Sequence, residues 1–251
     1  ANSMGAIRRT LSFDIARNPD ATYTITPKVL IERETILERR VTDVSQYRLA
    51  FTGPGVKIKR REAVRLGDLV GQGLMSQGMA DFLDLAVKAR RNIVGSGPAA
   101  SGRSTLVSAL ARAAEEGERI VSVEEAEELD LGDGPWIPLV GARGAKARDA
   151  LNNALRMRPE RLIVGDVRGA EALDLIGALA GGNDGCVCAV QASSPRDAIA
   201  RLTSMARLAP EAPSAEALAD ELARGVHVVV HLARTQEGEL RVGEIAEMTP
   251  M

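Results

Sequence analysis

Aromatic side chains are almost absent from this chain, since only 2% of its 251 residues are Phe, Trp or Tyr. The hydrophobic core must therefore be built from Ala, Val, Leu and Ile, and a hydrophobic fraction of 45% permits a sizeable one. An excess of charge of either sign is also lacking, because the formal net charge is −2. Nucleic-acid-binding domains normally present a basic surface, so this balance excludes nucleic acid as an expected partner.

Long apolar runs and cysteines are scarce as well. No stretch approaches the roughly 18 apolar residues typical of a membrane helix, and no secretory leader is recognisable, so we expect a cytoplasmic protein. The two cysteines, Cys186 and Cys188, lie in the apolar run GCVCAV. A bridge between such near neighbours is geometrically poor, and no further metal ligands cluster beside them. We interpret both as buried, reduced thiols.

From about residue 92 onward, apolar runs typical of buried strands alternate with segments of helical periodicity. This alternation predicts an α/β fold with a mainly parallel sheet wrapped by helices. The last two strands, 226–232 and 239–247, are predicted to form an antiparallel edge. Before this region, the pattern predicts two short strands within 21–41 and a helix capped by Ser76. We divide the chain into a β-rich N-terminal domain with linker, 1–62, and a main domain, 63–251.

The segment 92–106, NIVGSGPAASGRSTL, has the strand, small-residue loop and helix of a phosphate-binding loop. In such a loop, backbone N–H groups and the helix N-terminus point at an anion. The full pattern is G-x-x-x-x-G-K-[ST]. Gly97, Gly102 and Ser104 have the required spacing, but Arg103 occupies the lysine position.

Carboxylates follow two further predicted strands. RLIVGD ends in Asp166, as needed to reach Mg²⁺ or an attacking water beside a γ-phosphate. RIVSVEE delivers Glu124 and Glu125 to the same carboxyl edge of the sheet, where open α/β folds bind ligands. Each signal has a structural alternative: a buried strand that happens to end in Asp, and acidic residues that only begin or cap a helix.

Longer runs make a family resemblance plain: GDLVGQGLMSQGMADFLDLAVKARRNI, ERIVSVEEAEELDL, NALRMRPERLIVGDVRGAEALDLI and SSPRDAIARL. From about Arg48 onward the chain resembles type II/type IV secretion ATPases, most closely the tight-adherence (Tad) pilus assembly branch. The resemblance implies a RecA-like P-loop NTPase domain preceded by a smaller domain, which we expect to be drastically shortened. It also implies ATP held between the two domains and a hexameric ring that drives pilus assembly or secretion.

The resemblance also implies roles for individual residues. Glu124 and Asp166 fall on catalytic positions, and Ser104 falls on the position that holds Mg²⁺. The positions implied to bind nucleotide are Gly97, Ser101, Gly102, Arg103, Ser104, Thr105, Arg148 and Arg168.

Several of these positions depart from the family pattern. Arg103 replaces a lysine, and a wide planar guanidinium is not equivalent to a compact ammonium. Pro98-Ala99-Ala100 replaces Gly-Thr-Gly. Proline removes an N–H from the loop, and alanine costs about 1–2 kcal/mol wherever φ must be positive. Two or three such losses weaken nucleotide binding by about 10²-fold, at tenfold per 1.4 kcal/mol.

The remaining departures concern the acid–base groups. Asp166 is one methylene shorter than the family's glutamate, which matters for a base that must reach a water. The family's two-histidine box reads Gly182-Asn183-Asp184-Gly185 and Gln191-Ala192-Ser193-Ser194-Pro195 here, so both histidines are missing. His227 and His231 lie on a later strand, and we interpret them as structural or surface side chains.

Two functional hypotheses follow. The favoured one is a non-catalytic member that keeps the fold and serves as a structural or regulatory part of a pilus or secretion machine. Its expected partners are other machine subunits, including an active paralogous ATPase and an inner-membrane platform protein, with the chain peripheral to the membrane at most. ATP and Mg²⁺ binding is then weak or absent. The alternative is a divergent but active ring ATPase.

Overall fold

The computed structural model describes residues 10–17, 23–30, 47–52, 55–60, 64–126, 128–131, 136–140 and 145–248. The chain divides into two units, Ala1–Glu62 and Ala63–Met251. Across the described ranges, no helix is both long and apolar enough to cross a bilayer.

The first unit contains a four-stranded antiparallel sheet in the order β1-β2-β4-β3. Its strands are β1 (Thr10–Arg17), β2 (Tyr23–Leu30), β3 (Tyr47–Thr52) and β4 (Gly55–Arg60). The expectation of two short strands within 21–41 is wrong for its described part, because β2 runs unbroken through Pro27. Proline is tolerated there because β2 pairs with β4 only over Tyr23–Ile25. Residues 31–41 lie outside the described ranges.

The second unit is built on a seven-stranded sheet in the order β11-β10-β5-β9-β8-β6-β7. All neighbours are parallel except β10 and β11, which pair antiparallel at one edge. The predicted α/β class, the mainly parallel sheet and its antiparallel edge are therefore confirmed. The strands are β5 (Ile93–Gly97), β6 (Ile120–Glu124), β7 (Trp136–Val140), β8 (Arg161–Val167), β9 (Val187–Gln191), β10 (Val228–Arg234) and β11 (Leu240–Glu247).

Seven helices cover the two faces of this sheet within the described residues. They are α1 (Leu66–Gly71), α2 (Gln77–Lys88), α3 (Arg103–Ala111), α4 (Ala145–Arg156), α5 (Glu171–Ala180), α6 (Pro195–Ala206) and α7 (Ala215–Gly225). One core layer joins α1, α2 and α3 to one face of the sheet, and a second joins α4 to α7 to the other. Because both faces are covered, the inner strands are nearly continuous apolar runs.

Local signals explain where several helices begin. The Oγ atom of Ser76 accepts the backbone N–H of Met79 at 3.3 Å, which confirms the predicted cap of α2. Ser194 caps α6 in the same way, and Pro195 occupies the first turn of that helix, where its missing N–H costs nothing. The short helix α1 and the strand β7 were not predicted, and β7 carries Pro138 within an edge strand.

The two cysteines provide a test of this packing. Cys186 and Cys188 are each 1% exposed, and burial raises the pKa of Cys188 to about 12 and that of Cys186 well above its ordinary value. Since the thiolate is the reactive form, we expect neither to react with a thiol reagent at pH 8 in the native protein, and both to react in urea. Labelling of the native protein at the rate of a free thiol would contradict this packing.

The same burial predicts a pH dependence. Above about pH 8.5 the unfolded chain loses thiol protons that the folded chain retains. The contribution of these thiols to stability is therefore complete below that pH and is lost as the pH rises towards 12. Urea unfolding at pH 7.5 and pH 9.5, compared with a variant carrying Val at both positions, measures this contribution.

Candidate functional site

The carboxyl ends of β5, β6, β8 and β9 meet at one edge of the sheet because the four strands are parallel. The loop 98–102 lies at this edge, between the last residue of β5 and the first of α3. Gln191 ends β9 directly beside Gly97 and is exposed. The site is therefore assembled at the position where open α/β sheets bind ligands.

Gly97 is required at the start of the loop because no side chain fits there. A Cβ atom at this position would lie 2.6 Å from Ser101 Oγ and 2.8 Å from the backbone oxygen of Leu232. Gly102 ends the loop with φ +82° and forms the N-terminal boundary of α3. The first and last glycines of the motif thus serve different needs, close approach at one end and a left-handed turn at the other.

Ala100 also adopts a left-handed conformation, with φ 55°. For an alanine this conformation costs about 1–2 kcal/mol. The strain expected for an alanine in a loop that needs positive φ therefore falls on Ala100. The loop keeps this turn although Ala100 stands where a glycine would adopt it without strain.

The Arg103 side chain turns back onto the loop rather than extending from it. Its Nη1 donates to the backbone oxygens of Gly97 and Pro98, at 2.8 and 2.5 Å, and its Nη2 lies 3.4 Å from Asp166 Oδ2. The side chain is 10% exposed, and its Nε is buried without a hydrogen-bond partner. The positive charge at the lysine position is thus held by acceptors of the chain itself.

Asp166 is contacted by two guanidinium groups. Its Oδ2 also accepts from Arg168 Nε at 2.8 Å, and Arg168 Nη1 donates to Glu125 Oε2 at 2.8 Å. Hydrogen bonding to Asp166 raises the pKa of Arg168 above its ordinary value. The result is a row of alternating charges, Arg103, Asp166, Arg168 and Glu125, across the ends of β8 and β6. A carboxylate held in this way is poorly placed to act as a base.

Glu124 is buried, and its carboxylate binds the backbone of the segment that follows β6. Its Oε2 accepts the backbone N–H groups of Glu128 and Leu129, at 2.9 and 2.8 Å. Ser122 Oγ lies 3.3 Å from its Oε1. This carboxylate, which the family resemblance assigns to catalysis, thus shapes the turn after β6 in the structure.

Glu128 is a site residue that the sequence analysis missed. Ser104 Oγ donates to Glu128 Oε2 at 2.7 Å, so the hydroxyl expected to hold magnesium is engaged by a carboxylate. The only signal was the acidic run EEAEELD, in which nothing distinguishes Glu128 from its neighbours.

Thr105 and Arg148 do not join this network in the described contacts. Thr105 is exposed in the first turn of α3. Arg148 on α4 pairs with Asp174 on α5 at 2.6 Å and with Glu211 at 2.6 Å. These hydrogen bonds raise the pKa of Arg148. Among the predicted positions, Arg148 therefore serves helix packing in this structure, whereas Arg168 reaches the loop edge.

The two histidines have structural partners. His227 Nδ1 accepts the backbone N–H of Asn92 at 2.9 Å, and His231 Nδ1 lies 3.0 Å from Ser96 Oγ on β5. Burial lowers the pKa of both rings. Their interpretation as structural side chains is supported by these contacts.

The oxygens that a magnesium ion would use at this motif are engaged by other groups in this structure. Mg²⁺ is held by carboxylate and hydroxyl oxygens together with phosphate oxygens. Here the Asp166 carboxylate is neutralised by Arg103 and Arg168, and the Ser104 hydroxyl is bonded to Glu128. Across the described residues, no group of three or more His, Cys, Asp or Glu side chains is arranged to hold a metal.

Comparison with known proteins places these features in a family context. A family model described as "Type II/IV secretion system protein" matches residues 35–247. The chain is 34% identical over 198 residues to a putative conjugal transfer protein of Mycobacterium tuberculosis, covering 76% of this chain and 56% of that protein. It is 38% identical over 133 residues to the type IV secretion system protein PtlH of Bordetella pertussis, covering 50% and 39%. The chain thus spans little more than half the length of the first of these relatives.

Solved structures agree on the fold. The VirB11 ATPase of the Brucella suis type IV secretion system, solved with sulphate, superposes with a TM-score of 0.62 at 22% identity, covering 94% of this chain and 76% of that one. The pilus retraction motor PilT with bound ADP superposes with a TM-score of 0.56 at 16% identity, covering 97% and 64%. These likenesses confirm the predicted RecA-like fold.

The close contact at Gly97 predicts the effect of the substitution Gly97→Ala. The added methyl meets backbone at 2.8 Å, so we expect a loss of at least about 1–3 kcal/mol in the free energy of unfolding, as for other overpacked sites. Gly67→Ala is the matched control, because it lies in α1 with nothing within 4 Å. Urea unfolding of both variants measures the difference, and equal midpoints would contradict this account of the loop.

Proposed function

The chain belongs to the type II/IV secretion system protein family, and on this premise we propose that it is a non-hydrolysing member of that family. It keeps the RecA-like fold and serves as a structural or regulatory component of a type IV pilus or secretion machine. Within the family we place it closest to the tight-adherence branch, on the long runs that resemble that branch.

The observation that carries this proposal is the position of the Arg103 guanidinium. Phosphoryl transfer needs a cation at the β- and γ-phosphates and a residue that orients the attacking water. Arg103 faces the carbonyls of Gly97 and Pro98, and its second nitrogen lies beside Asp166. The contact between Arg103 and Asp166 thus engages both the cation and the carboxylate that hydrolysis requires.

The binding of ATP and Mg²⁺ is proposed to be weak. Three features of the loop contribute: the strained Ala100, the N–H that Pro98 lacks, and the Ser104 hydroxyl engaged by Glu128. The similarity to a conjugal transfer protein and to PtlH supports membership of such a machine and says nothing of an activity of this chain.

The proposed partners follow from membership of the family. We propose that the chain assembles in the cytoplasm with other subunits of its machine, among them an active paralogous ATPase and a platform protein of the inner membrane. Its contact with the membrane is then through these subunits, and no nucleic acid takes part.

An active, divergent ring ATPase is the second candidate. It is favoured by one observation: Glu124 is still the last residue of β6, and Asp166 is the last but one of β8, at the edge of the loop. Opposing it, Glu124 is bonded to two backbone N–H groups and Asp166 to two arginines.

Phosphate release from ATP in the presence of Mg²⁺ separates the two candidates. We expect the purified chain to release phosphate no faster than buffer, and Arg103→Lys alone not to restore turnover, because Asp166, Ala100 and Pro98 remain. Arg241→Lys, which makes the same exchange at an exposed ion pair with Glu239, is the control. Magnesium-dependent turnover of about 1 s⁻¹ or more, the usual range of enzymes, would refute the proposal.

A further inference from the structure

We propose that the carboxylates of Glu128 and Asp166 act as internal substitutes for a phosphate ligand at the loop 97–102 and the N-terminus of α3. The inference rests on the proposed function in that both concern the same loop, but it adds a specific cause for weak binding. The anion site is present, and the chain fills it with its own carboxylates.

The first contact is at the start of α3. The N-terminus of this nine-residue helix carries partial positive charge and backbone N–H groups that favour an anion. Ser104, the second residue of the helix, donates to Glu128 Oε2 at 2.7 Å. A carboxylate thus lies against the hydroxyl of the motif, on the same helix turn that faces phosphate in loops of this kind.

The second contact is at Arg103. Its guanidinium, the cation of the motif, lies 3.4 Å from Asp166 Oδ2. Arg168 binds the same oxygen at 2.8 Å, so that Asp166 accepts from two guanidinium groups as a phosphate oxygen would. Both cationic partners of an anion are therefore directed at a carboxylate of the chain.

Independent support comes from donors that the substitutes leave unsatisfied. Ser101 is 1% exposed, and its Oγ has no hydrogen-bond partner, although it lies against Gly97 inside the loop. Arg103 Nε is likewise buried without a partner. A third buried atom without a partner, Asp166 Oδ1, is an acceptor and is not counted as support. A buried donor without a partner is costly, so the loop retains two donors that an oxyanion would satisfy.

The internal ligand is also held in place. Glu124 accepts the backbone N–H of Glu128 itself and that of Leu129, so the segment that carries Glu128 is ordered by a buried carboxylate. An ordered internal ligand loses little freedom on contact. A phosphate from solution must displace this carboxylate. The apparent affinity for phosphate is then the intrinsic affinity multiplied by the fraction of molecules in which the site is open.

The ligand class is a phosphate oxyanion, and the test measures its affinity directly. Pyrophosphate and a fluorescent ADP analogue are titrated against the full chain and against Glu128→Gln, which removes the charge and keeps the shape. We expect Glu128→Gln to bind pyrophosphate at least about tenfold more tightly than the parent chain, because the loss of a charged hydrogen bond opens the site. Asp166→Asn is expected to change affinity in the same direction.

Glu116→Gln is the matched control. It makes the same change in net charge at an exposed position beyond the last residue of α3, at the end of that helix opposite the loop. Its affinity for pyrophosphate should equal that of the parent chain. Because Glu128 is exposed, its substitution leaves the core intact, and circular dichroism of each variant verifies this.

The outcomes are distinct. A gain for pyrophosphate and for ADP alike supports the inference and identifies the phosphate group as what is recognised, whereas a gain for ADP alone overturns that assignment. Equal affinities of Glu128→Gln, Glu116→Gln and the parent chain overturn the inference and leave the proposed function standing. ATP turnover by the parent chain, measured separately, would overturn the proposed function instead.

Discussion

The contact between Arg103 and the end of β5 determines the character of the site. A planar guanidinium donates in several directions at once, and here it reaches two loop carbonyls and the carboxylate of Asp166. A lysine ammonium is a compact, strongly hydrated charge that lacks this fork. Arg103 in place of lysine therefore connects α3 to β5 and β8 through its side chain. The positive charge that would face a ligand is directed at the protein.

The fold tolerates these changes because its stability lies elsewhere. The two core layers that cover the sheet are formed mainly by Ala, Val, Leu and Ile side chains. The altered residues of the loop lie at the edge of the sheet, outside both layers. Strain of about 1–2 kcal/mol at Ala100 remains below the net stability of a typical domain, which is about 5–15 kcal/mol. Chemistry at the edge and packing in the core can thus change separately.

Sequence reasoning performed well where burial dictates the pattern. The strands β5, β8 and β9 each contain a buried apolar run because helices cover both faces, and α2 begins at the predicted serine cap. It performed poorly where the pattern is weak. The edge strand β7 contains Pro138 and exposed residues, and β2 passes through Pro27, a residue normally interpreted as a break. Glu128 was not singled out within its acidic run, because its contact with Ser104 depends on the turn in which its backbone N–H donates to Glu124.

The alternation of strands and helices after residue 92, apart from β7, the position of the loop and the substitution of its lysine were determined by the sequence alone, because hydrophobic periodicity and motif spacing are local properties of the chain. The tertiary structure alone decided which carboxylate meets which cation. Asp166 reaches Arg103, Arg168 reaches Glu125, and Glu128 reaches Ser104 across separations that no spacing rule covers. Contacts of this kind depend on the parallel strands bringing distant residues to one edge, and that juxtaposition exists only once the sheet has formed.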